Sequence, residues 1–158
     1  ARPSELVHLV AVRPATGERF EVVLAPRQPL ARSTSLHVEL SAETLLAGEA
    51  VEAGLARFRA FLRPEDKLAV WTTFALDLLR RDGFPVPEAV NVRLACARAL
   101  KQKTGGVEQG AELLGARTPE PWAPGRAGRR IVALEAVVRA LDERGRATEP
   151  PPRQRMAS

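Results

Sequence analysis

Arg129 and Arg130 stand side by side at the start of the last helical stretch of the sequence, just after Gly125-Arg126-Ala127-Gly128. Arginine at a helix N-terminus opposes the helix dipole. A bound anion would relieve that opposition, because the free N–H groups of the first turn already attract negative charge. The planar guanidinium fork also matches phosphate oxygens. The other reactive side chains are scattered. His8 lies in an apolar run and His37 in a loop, and neither has the further ligands a zinc site needs, so structural roles are expected. Cys96, between Ala95 and Ala97, reads as a small core residue. Trp71 and Phe74 have the faces to stack a base, yet their place in an apolar run predicts core packing. Gly105-Gly106 lacks the lysine and serine of a phosphate loop and reads as a turn between helices. Glu108 and Glu112, one helical turn apart, read as solvated surface.

The charge is unevenly spread. Residues 1–114 carry a net charge of +1 and residues 115–158 a net of +4, nine arginines against five acids. An isoelectric point near 10.5 therefore reflects mainly the last quarter, where a phosphate-facing surface competes with a solvated face and a basic tail. Hydrophobic residues make up 45% of the 158 residues, which suits one domain with a real core. No apolar run approaches the roughly 20 residues of a membrane span, so no membrane association is expected. With a single cysteine there is no internal disulfide, and a reducing, cytoplasmic setting is the expectation.

These residues need elements to hold them. Leu6–Val12 and Phe20–Leu24 are β-rich runs around Pro14 and Gly17, which predicts a β-hairpin. Ser41 is suited to cap a short turn through Leu46. Glu49–Leu62 places Val51, Leu55, Phe58 and Leu62 on one stripe before Pro64, an amphipathic helix. Leu68–Thr73 reads as a buried strand in the same sheet as the hairpin, followed by a helix over Phe74–Arg81 that stops at Gly83. A brief strand over Val90–Val92 precedes helices over Arg93–Lys103 and Val107–Leu114. Residues 115–128, rich in proline and glycine, read as a loop. The last helix, Arg129–Arg144, carries Ile131, Leu134, Val138 and Leu141 at helical spacing. From Gly145 onward a disordered Pro/Arg-rich tail is expected, which gives a domain over 1–144 and a tail over 145–158. The fold class is α/β, a mixed sheet with helices packed on it.

In this order the segments resemble the DEDD-type (DEDDh-like) 3′–5′ exonucleases of ribonuclease-H-like fold. The hairpin with Leu24-Ala25-Pro26-Arg27-Gln28-Pro29-Leu30 resembles the family's second and third strands. Ser35-Leu36-His37-Val38-Glu39-Leu40-Ser41 resembles its segment before a short helix. Leu68-Ala69-Val70-Trp71-Thr72-Thr73-Phe74 resembles its fourth strand, and Gly125-Arg126-Ala127-Gly128-Arg129-Arg130 its final motif. The match covers roughly residues 5–144. The family's first strand, with its Asp-x-Glu pair, is not visible, and residue 1 falls about where that strand should end. The chain begins with alanine, so a fragment of a longer protein is the expectation.

What the resemblance implies is a site without its chemistry. Such nucleases hold two divalent metals about 4 Å apart, and magnesium requires converging carboxylates. The sequence contains no acid-x-acid pair. Leu76 falls at the second motif's acidic position. Asp77 is one residue away, rotated by about 100° on a helix, and is the sole weak catalytic candidate. Gly125 replaces the general base, which reads as drift, and Arg130 replaces a metal-binding aspartate. The resemblance thus implies a catalytically defective module that binds RNA or DNA, tRNA among them, through Arg126, Arg129 and Arg130. It would serve as an accessory part of a larger nucleic-acid-processing or tRNA-modifying protein, with a covalently fused catalytic domain as a partner. No cofactor is expected. Magnesium enters only in the alternative of an active exonuclease completed by a missing N-terminal strand. A structural or protein-interaction domain is the third reading.

Overall fold

The computed structural model describes residues 4–148. β1 (His8–Arg13) and β2 (Glu18–Val23) form the expected antiparallel hairpin, with His8 opposite Val23 and Arg13 opposite Glu18. Gly17 adopts φ 76 in the turn, where its N–H reaches the Arg13 carbonyl at 2.8 Å. Two short helices follow, α1 (Arg32–Val38) and α2 (Ala42–Leu46). Ser41 caps α2 by accepting a hydrogen bond from the Thr44 N–H at 3.1 Å, as its position predicts. His37 lies in the last turn of α1 rather than in a loop.

α3 (Val51–Phe61) packs across the hairpin and buries Leu55 and Phe58 against Phe20, Val22 and Leu24. The Phe20 and Phe58 rings are 5.3 Å apart, and Phe84 stacks on Phe58 at 5.2 Å. Then come β3 (Leu68–Val70), α4 (Phe74–Arg81) and β4 (Ala89–Asn91). β3 and β4 pair in parallel, as short strands joined through a helix do.

The single sheet expected from the sequence does not form. β1 pairs only with β2 and β3 only with β4, in two separate two-stranded sheets. Only Leu68–Val70 of the expected Leu68–Thr73 strand pairs, because residues 71–73 turn into α4. The fold is mixed α/β: an antiparallel hairpin, a parallel strand pair and, among the described residues, seven helices.

α5 (Val92–Leu100), α6 (Val107–Leu113) and α7 (Gly125–Thr148) complete the molecule. Trp71, Cys96, Val107, Ala111, Ala133 and Val137 form a second closed core between them. Trp71 is buried there as expected and donates from Nε1 to the Gly105 carbonyl at 3.2 Å, whereas Phe74 is exposed at the start of α4. α7 differs from its expected bounds at both ends. It begins within the expected loop, at Gly125, and continues through Thr148 into the expected tail; the remaining tail residues, 149–158, lie outside the described residues. Its deepest side chains are Val132, Ala133, Ala136 and Val137. The expected stripe of Ile131, Leu134, Val138 and Leu141 is only half-buried: Leu134, Val138 and Leu141 pack at the rim of the second core rather than inside it. Among the described residues, no helix is long and apolar enough to cross a membrane.

Candidate functional site

A cavity of about 500 Å³ separates the two sheets. Consecutive residues of β1 line one side of it, and Lys67–Thr72, spanning β3, line the other. α3 and α4 close one face through Phe58 and Leu79, and α7 closes the other through Ile131 and Leu134. The result is an apolar slot whose two long sides are strand edges.

One end of the slot is positively charged. Arg126 and Arg130, one turn apart on α7, line it together with His8 and His37. Among the described residues, neither arginine has a carboxylate within ion-pair distance, and each is half-buried. Burial, and then the repulsion of neighbouring Arg126, push the Arg130 guanidinium below its ordinary pKa, with Glu108 opposing; it stays charged, but costs more to keep so. His8 is buried with both ring nitrogens unpartnered, since Glu21 Oε1 lies 3.7 Å away, beyond hydrogen-bond range. Burial lowers the His8 pKa from the ordinary 6.5, with Glu21 opposing, so the ring is neutral at neutral pH. At the slot's other end the charges are matched: the Arg13 guanidinium donates to Asp66 Oδ2 at 2.7 Å and to the Phe61 carbonyl at 2.6 Å.

The sequence places Arg126, Arg129 and Arg130 in one site, and the structure separates them. Arg126 and Arg130 face the slot, whereas Arg129 turns away and pairs with Glu39 and, at 3.6 Å, with Glu108. The Arg129 guanidinium is thus neutralised within the chain, by the Glu39 carboxylate. Glu39 itself ends α1 in the left-handed region, φ 58. Gly125, which reads from sequence as drift, meets a steric demand of the fold. Its φ is 73, and a Cβ there would lie 2.7 Å from the Val38 carbonyl oxygen, so α1 and α7 meet this closely only over a glycine.

Asp77 falls outside the site. It lies exposed on the first turn of α4, 3.3 Å from Arg80, while its neighbours Ala75 and Leu76 line the slot. The rotation between adjacent helical positions keeps it there. Among the described residues, no three His, Cys, Asp or Glu side chains come together as a metal-binding group. Burial pushes the Cys96 thiol up, which suits a core residue rather than a nucleophile. The slot role of His8 was missed from sequence; its only signal was a lone histidine in an otherwise apolar strand.

No family model matches the sequence, and no curated protein matches it. The site has to be read from its own geometry.

Proposed function

We propose that this protein is a non-catalytic nucleic-acid-binding module of exonuclease-like organisation, whose phosphate contact is made by Arg126 and Arg130. One observation carries the reading: two half-buried guanidiniums, a helical turn apart, line one cavity, and among the described residues neither has a carboxylate within ion-pair distance, Glu108 acting on Arg130 only from farther off. Two unpaired like charges on one face repel each other, and burial raises the cost. An anion bridging both removes the repulsion and satisfies donors of both forks. The resemblance to the exonucleases supplies the class of ligand, and Asp77, turned to solvent, gives no ground for metal-dependent cleavage by this chain. The role fits a module attached to a larger nucleic-acid-processing or tRNA-modifying protein.

The test is salt-dependent binding to tRNA and to a single-stranded oligonucleotide, followed by fluorescence anisotropy. Each phosphate neutralised contributes about 0.7 to 0.9 to the slope of log affinity against log salt. The Arg126→Ala/Arg130→Ala variant is expected to weaken binding and flatten the slope by about one to two units. Arg129→Ala is expected to change it less, since Glu39 and Glu108 already neutralise that side chain. Unchanged affinity and slope in the double variant would refute the proposal.

A further inference from the structure

The slot has a long axis with unlike ends. Gly125, where α7 begins, lies against the Val38 carbonyl, and Val38 packs on the cluster that holds Val7, next to His8 at the start of β1. Further along α7, the Arg139 guanidinium donates to the Pro14 carbonyl at 3.2 Å, just past the end of β1. α7 therefore runs beside β1 in the same direction. The six residues of β1 span about 17–20 Å, which sets the length of the slot. A cavity of about 500 Å³ over that length is narrow.

Most charges on the lining are already matched. Arg13 pairs with Asp66 at 2.7 Å, Glu135 with Arg139 at 2.8 Å and Lys67 with Glu88 at 3.6 Å. Arg126 and Arg130 are the exception, with no carboxylate within ion-pair distance among the described residues. Beside them the buried His8 ring has no hydrogen-bond partner, and Glu21, 3.7 Å from it, does not line the slot. Between the two ends the walls are aliphatic: Val10 and Val12 on one side, Leu68 and Val70 on the other, Ile131 and Leu134 from α7. Water finds few partners along such walls, whereas an apolar chain gains by leaving water for them. A phosphate held at the arginines fills only one end.

We propose that the slot binds a single-chain amphiphile with an anionic head, of which a medium-chain fatty acid is the simplest member. The carboxylate sits between Arg126 and Arg130 and accepts from both forks. The neutral His8 ring next to it offers one N–H. The alkyl chain runs along β1 towards the Arg13–Asp66 pair. The slot's volume falls within the roughly 300–1,000 Å³ of small-molecule pockets, and its narrowness suits one extended chain better than a fused ring system. The inference goes beyond nucleic-acid binding, since the aliphatic walls carry it, although the head takes the same arginine pair.

The test titrates the full chain with octanoate, decanoate and dodecanoate, below micellar concentrations, by isothermal titration calorimetry. Each step of two methylenes is expected to tighten binding about fivefold to fifteenfold. Dodecyltrimethylammonium, with the same chain and a cationic head, is expected to bind at least about tenfold more weakly than dodecanoate. The Arg126→Gln/Arg130→Gln variant is expected to lose at least about tenfold in dodecanoate affinity. In the unaltered chain, dodecanoate should shift the amide resonances of Val10, Val12 and Val70 and leave those of the exposed Leu36, Leu46 and Leu94 in place. Equal affinity for the two head groups, no gain with chain length, or shifts confined to the exposed leucines overturns the inference. The two proposals fail separately. Arginine-dependent dodecanoate binding by a chain that holds no tRNA removes the nucleic-acid reading and keeps this one; arginine-dependent tRNA binding without dodecanoate binding does the reverse.

Discussion

The two faces of α7 meet opposite environments. One face, Val132, Ala133, Ala136 and Val137, is sealed; Ala133 and Val137 within it pack against α5 and α6 around Cys96 and Trp71. The other, Arg126, Arg130, Ile131 and Leu134, borders an apolar slot with open strand edges, a buried histidine without a hydrogen-bond partner and two unpaired cations. Both faces are mostly apolar, so hydrophobicity does not distinguish them. Satisfaction does. Where small residues are packed closely against α5 and α6, the helix is holding the fold together. On the slot face the apolar walls are half-covered and the buried His8 ring nitrogens lack hydrogen-bond partners.

The largest expected effect tests that contrast through stability. Val137→Ala, in the sealed corner, truncates a fully buried side chain that does not line the slot and should cost about 1.5–3 kcal/mol in denaturant unfolding. Ile131→Ala, on the slot face, removes a half-exposed side chain and should cost less than about 1.5 kcal/mol. Comparable losses at the two positions would mean that the slot is a core like the other.

A smaller effect concerns His8. Its folded-state pKa lies below the ordinary 6.5 because burial disfavours the charged ring. Above 6.5 both folded and unfolded states are neutral and the group contributes no pH dependence. As pH falls below 6.5 the unfolded chain takes up a proton that the fold resists, so stability declines. Stability measured from pH 7.5 to 5 should show this decline in the wild type and much less of it in His8→Gln. A wild type as stable at pH 5 as at pH 7.5 would place His8 in a better-solvated setting than the one described.

The smallest expected effect is none at all. With magnesium or manganese, the chain should trim neither single-stranded DNA nor RNA, and Asp77→Ala should leave that baseline unchanged. Trimming abolished by the substitution would require Asp77 to swing from its place beside Arg80 into the slot.

Local features were legible in the sequence because local chemistry dictates them. Pro14 and Gly17 mark the hairpin turn, the Val51–Leu55–Phe58 stripe marks α3, Ser41 caps α2, and Gly83 ends α4 at φ 77. What stayed hidden was non-local. Gly125 and Gly128 read as loop residues, yet they start α7, because a Cβ at either would run into backbone, Val38 in one case and Ala123 in the other. The partner of Arg129 is Glu39, 90 residues away in sequence. No spacing rule connects them, so Arg129 was grouped with its neighbours when the fold had already neutralised it. Phe74 belongs to an apolar run that predicts core packing, but the strand ends at Val70, four residues before it, and Phe74 is exposed. The Arg126 and Arg130 pairing, by contrast, follows from helical spacing and survives in the fold.

The central claim is that Arg126 and Arg130, rather than the basic residues beyond α7, hold nucleic acid. The most direct measurement compares tRNA affinity over a salt series for the wild type, Arg126→Ala/Arg130→Ala and Arg153→Ala/Arg155→Ala. The account predicts that the first double variant loses most of the affinity and one to two units of salt slope, while the second stays near the wild type. Loss of binding in the Arg153/Arg155 variant with full retention in the Arg126/Arg130 variant would contradict it.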